Sequence, residues 1–244
     1  MSSNQFRPLS DVAIETPADA RVFSSLLQTG AHRFPCTSVE SWRYEYIKRA
    51  FDFVGSVVLL TLLFVPGLVI AVLVKLSSQG PVFYREERVG RYQIPFRIWK
   101  FRSMCSDAAQ NAHVHSDEKK QGAIEWRMKK HLVDPRITRI GAILRKSSLD
   151  EIPQLINVFR GEMSLIGPRP IVKSEEEFYG NYLHYYHAVT PGMSGLWQVS
   201  GRSSVGYDKR ARLDACYAQQ WSLFLDLRIL FLTFPAVLRR VGAR

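Results

Sequence analysis

Apolar residues are spread unevenly along this chain. From Phe53 to Val74 it reads FVGSVVLLTLLFVPGLVIAVLV, 22 residues without a charge. As a helix that run is roughly 33 Å long, enough for the hydrocarbon core of a bilayer. A run of this length with no polar face predicts membrane insertion rather than a buried helix of a soluble domain. Pro66 sits inside it. Proline has no amide N–H and its ring clashes with the preceding turn, so a kink or break is expected at Pro66. Lys48 and Arg49 precede the run and Lys75 follows it, so flanking charge sets no orientation. A straight helix would span the bilayer, whereas one that bends at Pro66 and returns would keep both flanks on one side. On these residues alone both stay open, and the span is the commoner case.

Elsewhere the apolar pattern is shorter. Residues 1–42 are rich in Ser, Thr, Pro and Ala without a sustained period, which predicts a disordered or loosely packed tail. Val82-Phe-Tyr and the alternating Phe96-Arg-Ile-Trp-Lys-Phe-Arg read as strands. Ile152, Leu155, Ile156 and Phe159 fall at i, i+3, i+4 and i+7, one face of a helix starting around Ser148 to Glu151 and stopped by Gly161. Trp221 to Leu238 is apolar but carries Asp226, Arg228 and Pro235, so it reads as an interfacial or core-packed helix rather than a second span. The expected organisation is a tail (1–42), a membrane-inserted segment (43–78) and a domain at 79–244, which the family resemblance given below makes cytosolic. That domain is α/β and mostly helical, with amphipathic helices at the interface beside the membrane segment.

Charge adds a class of partner. Lys plus Arg number 33 against 22 Asp plus Glu, a formal net charge of +11. Such a surplus suits phosphorylated substrates, anionic lipid headgroups or nucleic acid. It is concentrated, with six Lys or Arg against two Glu from Arg85 to Arg102, and nine against one Glu and one Asp from Lys119 to Lys146. Trp99, Phe101 and Trp126 interleave with these runs, as on a surface lying against headgroups or lining a phosphate site. No nucleic-acid motif accompanies the charge, so nucleic acid is not an expected partner. Cys36, Cys105 and Cys216 are far apart and read as reduced thiols.

The candidate chemistry lies in Arg145–Gly161, RKSSLDEIPQLINVFRG. Asp150 and Glu151 fall where the predicted helix begins. One reading is structural: Ser148 and Glu151 have capping-box spacing, and acidic residues suit a helix start. The other is functional. Free N–H groups there bind anions, and an ionised Asp150 is a nucleophile. Paired carboxylates share a divalent cation. Arg145, Lys146 and Arg169, held in the rigid Gly167-Pro168-Arg169-Pro170 loop, supply phosphate donors. The sequence has no GxxxxGK[ST], GxGxxG, Asp-x-Asp or HExxH motif. His113, His115, His184 and His187 lack a third ligand nearby and read as surface or structural residues.

Longer blocks give a more specific signal. KRAFDF at 48–53, GPVFYREERVG at 80–90 and WKFRSM at 99–104 come in order around the Pro66-interrupted run. DPRITRIGAILRKSSLDEIPQLINVFRGEMSLIGPRP at 134–170, PGMSGLWQVSGR at 191–202, LDACY at 213–217 and WSLFLDLRILF follow. In these blocks the chain resembles the bacterial sugar transferases, the monotopic phosphoglycosyl transferases, over about residues 48–238. The resemblance implies transfer of a sugar 1-phosphate from a UDP-sugar to polyprenyl (undecaprenyl) phosphate, with release of UMP, as the priming step of a surface polysaccharide. It implies Mg²⁺ as cofactor, Asp150 as nucleophile through a covalent phosphosugar intermediate, and Glu151 as the second metal-side carboxylate. Lys100, Arg145, Arg169 and Arg202 match basic positions that touch phosphates; Pro168, Pro170 and Asp214 support them. It also implies a re-entrant segment broken at Pro66, a catalytic domain on the cytoplasmic face of the inner membrane, and contact with inner-leaflet anionic lipids. Homo-oligomerisation is left open. Long members of the family place four membrane helices before this module, and this chain reads as a minimal form. The wording GLWQVSGR and WSLFLDL points to a hexose, glucose or galactose, for exopolysaccharide. The alternative class is a non-enzymatic membrane scaffold that uses its basic face for lipid or assembly partners. The Asp150–Glu151 pair discriminates, since a scaffold has no need of it.

Overall fold

The computed structural model describes residues 42–105, 136–200 and 206–238. Arg202, Cys36, Trp126, His113 and His115 lie outside these, as does all but the last residue of the tail at 1–42.

The apolar run forms two helices rather than one. Helix α1 (Tyr44–Leu62) opens with a π-helical turn over Tyr44–Lys48, and α2 (Phe64–Ser77) follows, bent from it by 63°. The bend falls at Leu63 (φ −94°, ψ 6°), three residues before the expected Pro66. The offset has a direct cause. In a continuous helix the residue-66 amide would pair with the Leu62 carbonyl, and the proline ring instead clashes with it. Among the described residues no single helix is long and apolar enough to cross a membrane, but this bent pair is, taken together. Its turn is bare: Leu62, Phe64 and Val65 are 67%, 69% and 66% exposed.

An antiparallel hairpin follows, β1 (Phe83–Val89) with β2 (Pro95–Phe101), in the register Arg85 opposite Trp99 and Glu87 opposite Arg97. Then come α3 (Arg139–Ser147), a 3₁₀ turn over Leu149–Glu151, and α4 (Gln154–Arg160). Strands β3 (Ser164–Ile166) and β4 (Gly192–Ser194) pair in parallel. A 3₁₀ stretch over Lys173–Tyr182 and α5 (Leu183–Ala188) connect them. The chain continues through α6 (Leu196–Val199), α7 (Tyr207–Gln220) and α8 (Leu223–Leu238). The architecture is α/β and mostly helical, as expected. Leu155, Val158, Leu165, Ile166, Leu213, Tyr217 and Ile229 meet in the main core. Helix α8 packs on the core along one face: Asp226 and Ile229 are fully buried, while Phe224 and Phe231 are 64% and 73% exposed.

Buried polar ties fix the helix pair to the domain. Lys48 Nζ lies 2.9 Å from Asp226 Oδ2 and 3.5 Å from Asp52 Oδ1, with all three residues at most 3% exposed. Asp52 Oδ1 also accepts from Ser164 Oγ and the Leu165 amide, each at 2.9 Å. Tyr217 and Trp221 donate to the two oxygens of Asp226 at 2.8 and 3.0 Å. At the other end, Arg102 donates to the carbonyls of Val74, Pro81 and Ser78 and so caps the C-terminus of α2, where unpaired carbonyls attract a cation. Arg49 likewise donates to Val158 and Phe159 O at 2.7 and 2.6 Å, closing the end of α4.

Candidate active site

Helix α3 ends at Ser147, and Ser148 takes the left-handed conformation (φ 58°). This turns the chain into the 3₁₀ turn that carries Asp150 and Glu151. The expected helix start is corrected here. Pro153 keeps α4 from beginning before Gln154, because its ring suits only the first turn. The capping box also fails: Ser148 makes no side-chain cap bond, and a residue at positive φ cannot adopt the extended geometry of an N-cap. The acidic pair therefore has no capping role at Ser148.

The two carboxyl groups have unlike environments. Glu151 Oε1 accepts from Lys100 Nζ at 2.8 Å, bringing the end of β2 against the turn. Burial works against the Glu151 charge, but Lys100 and Arg169 outweigh it and hold the carboxyl below its usual range. Asp150 is pushed up to about 6, first by burial and then by the Glu151 charge, against the pull of Lys100 and Arg145. The two carboxyl groups thus differ in proton affinity, the pattern of a pair with divided roles. Of the anticipated phosphate donors, Lys100, Arg145 and Arg169 all act electrostatically on this pair. Arg202 lies outside the described residues.

The loop bearing Arg169 is held by backbone and by two arginines. The Gly167 amide donates to Ser194 O at 2.8 Å, and the Gly192 amide to Pro168 O at 2.7 Å. A Cβ at Gly192 would stand 2.1 Å from Gly167 N, so only glycine lets the two segments meet. Arg88 Nη1 donates to Pro170 O at 3.2 Å, and Arg210 Nη2 to Arg169 O at 3.5 Å. Asp214 is 1% exposed and accepts from Tyr179 OH at 2.9 Å. Burial raises its pKa to about 7 against the pull of Arg210. Its partners are Tyr179 and Arg210, not the acidic pair. Sequence reasoning missed Arg210, Tyr179 and Asn157. Asn157 is fully buried and ties α4 to β2, with Oδ1 accepting from Trp99 N at 3.0 Å and Nδ2 donating to Arg97 O at 2.8 Å. The available signal was an amide set among the apolar residues of α4.

Among the described residues no cluster of three or more His, Cys, Asp or Glu forms a ready-made metal cage. His187 instead faces Glu176 at 3.1 Å. The donor set at the acidic pair still fits Mg²⁺, which is typically held by one or two carboxylates plus substrate phosphates. A cavity of about 440 Å³ lies at the opposite end of α4, lined by residues including Tyr44, Lys48, Arg91 and Arg160, and it does not include Asp150 or Glu151.

Comparison with known proteins brings a family to this geometry. The family model of the bacterial sugar transferases matches residues 43–240. The chain is 46% identical over 200 residues to a UDP-galactose-lipid carrier transferase of Erwinia amylovora, covering 82% of this chain and 42% of that protein. It is 45% identical over 191 residues to the exopolysaccharide production protein ExoY of Rhizobium meliloti, covering 78% and 84%. An undecaprenyl-phosphate galactose phosphotransferase of Salmonella typhimurium is 44% identical over 201 residues, covering 82% and 42%. The chain thus spans under half the length of the Erwinia and Salmonella proteins and most of the Rhizobium one. On a match that runs from the start of α1 to the end of α8, this chain belongs to the bacterial sugar transferase family.

Proposed function

We propose that this protein transfers a sugar 1-phosphate from a UDP-sugar to polyprenyl phosphate and releases UMP. The single observation that carries the reading is the split between Asp150 and Glu151, one raised to about 6 and the other held low by Lys100 and Arg169. In the first step an ionised Asp150 oxygen attacks the sugar-side phosphorus. The Oδ–P bond forms, the P–O bond to UMP breaks, and UMP leaves with the electron pair. In the second step an oxygen of the acceptor phosphate attacks the same phosphorus and frees Asp150. Lys100, Arg145 and Arg169 bind and orient the pyrophosphate and screen its charge. Glu151, kept ionised, and Asp150 are the residues that would hold Mg²⁺, which lends charge neutralisation at the phosphates. The names of two relatives support galactose as the sugar.

The same reading places the chain at the bacterial inner membrane, with the α1–α2 pair entering and leaving by the cytoplasmic leaflet. The 63° bend, the bare turn at Leu62–Val65 and the anchored ends at Lys48 and Arg102 support a re-entrant hairpin over a span. A cytosolic UDP-sugar and an acceptor phosphate at the membrane surface then meet at one site. The test is UMP release from UDP-galactose by the full chain in lipid, with Mg²⁺. Release that requires polyprenyl phosphate is expected. A well-folded protein that turns over no UDP-sugar under these conditions would favour the scaffold reading.

A further inference from the structure

A second cationic site stands apart from the acidic pair. A groove of about 330 Å³ is lined by residues including Arg85, Arg97, Trp99 and Arg160, on the β1–β2 hairpin and the end of α4. The Arg85 guanidinium carbon stacks 3.4 Å from the Trp99 ring centroid, and that of Arg160 lies 5.9 Å from the same ring. Stacking fixes the plane of a guanidinium while leaving its N–H edge free to bind an anion. Among the described residues none of the three arginine side chains has an ion-pair partner. Two carboxylates share the groove. Glu162 accepts from Asn157 Nδ2 at 2.6 Å, and Glu87 faces Arg97 in the strand register without an ion pair. The three arginines outnumber the two carboxylates, so the groove keeps a net positive charge that suits an anion.

Ring contacts link this groove to both ends of the apolar hairpin. On one side Phe159, next to Arg160, stacks on Phe53 of α1 at 5.3 Å. On the other, Trp99 meets Phe83 at 5.5 Å, Phe83 stacks on Phe101 at 5.5 Å, and Phe101 shares a buried cluster with Ile70 and Val74 of α2. Phe53, Phe83 and Phe159 remain 43%, 39% and 42% exposed. Guanidiniums bordered on both sides by exposed aromatic rings at the ends of an apolar segment match the layering of a bilayer interface.

We propose that this groove binds the phosphate headgroup of an anionic phospholipid, and so seats the domain on the membrane at a site separate from the acidic pair. The inference rests on the membrane placement proposed above, but its readout is lipid binding rather than turnover, so it fails or stands apart from the transfer reaction. The full chain in neutral-detergent micelles is titrated with dihexanoylphosphatidylglycerol, dihexanoylphosphatidylcholine or inorganic phosphate. Binding is followed by the Trp99 component of fluorescence, obtained by difference from Trp99→Phe. Saturable binding of the phosphatidylglycerol, at least tenfold tighter than of either other probe, is expected. At about 1 kcal/mol per arginine, Arg85→Gln with Arg97→Gln should weaken it roughly 30-fold, while Arg85→Lys with Arg97→Lys should keep most of it. Equal binding of the two lipids, phosphate binding as tight as the phosphatidylglycerol, or an unaffected glutamine pair would each overturn the proposal.

Discussion

Asp150→Asn is expected to abolish transfer while making the folded protein more resistant to unfolding. Asparagine cannot form the phosphosugar link, so UMP release should fall by roughly 10⁴- to 10⁶-fold, the scale seen when a nucleophile is deleted. The stability gain has the opposite origin. Asp150 has a carboxyl of ordinary pKa 3.8 pushed up to about 6 in the folded state by burial and by Glu151. Its ionised form is therefore worse placed folded than unfolded. That cost is absent below pH 4, grows between about pH 4 and 6, and is constant above. Discounted for partial exposure, it amounts to about 1–3 kcal/mol at pH 8. Denaturation midpoints for wild type and Asp150→Asn should accordingly diverge at pH 8 and converge at pH 4. The same raised carboxyl predicts that wild-type kcat/KM falls on acidification, as protonation removes the nucleophile, with Mg²⁺ on the pair moving that fall below pH 6. A variant that turns over like wild type would exclude Asp150 from the bond-forming step.

Lys48→Met should be the most damaging substitution at the junction of the bent helix pair and the domain. It leaves Asp52 and Asp226 buried without their cation, and removing one partner of a buried ion pair typically costs 3–5 kcal/mol. Against a usual total of about 5–15 kcal/mol, that is a large share. Lys48→Met with Asp226→Asn should lose much less than the sum of the two single changes. The asparagine oxygen can still accept from Tyr217 or Trp221, and one uncompensated charge is gone. Chemical denaturation in detergent reads both. A single-variant cost under about 1 kcal/mol would mean that the network is not what fixes α1 to the domain.

How much of this was legible in the sequence follows from the kind of signal each part carries. The broken apolar helix, the strands flanking Arg91 and the helix ending at Gly161 were legible because periodicity and chain breakers are local. The position of the bend was displaced from Pro66 to Leu63 because a proline acts on the carbonyl four residues earlier. The acidic pair stands out in the sequence, but not its local setting: Pro153 delays α4 and leaves Asp150 and Glu151 in a turn of their own. Lys100 and Glu151, 51 residues apart, appear as partners only once β2 packs on that turn. The buried Lys48–Asp52–Asp226 network was illegible for the same reason. Nothing in an apolar stretch such as Trp221–Leu238 says that its one Asp faces a lysine 178 positions earlier.

The most direct test is the mass of the protein after incubation with UDP-galactose and Mg²⁺ in the absence of any polyprenyl phosphate. One added sugar phosphate is expected, located on the peptide that contains Asp150, absent from Asp150→Asn and discharged when polyprenyl phosphate is added. UMP release that requires the acceptor, with no adduct on any peptide of the wild type at any time, would contradict it and point to direct attack of the acceptor on the UDP-sugar.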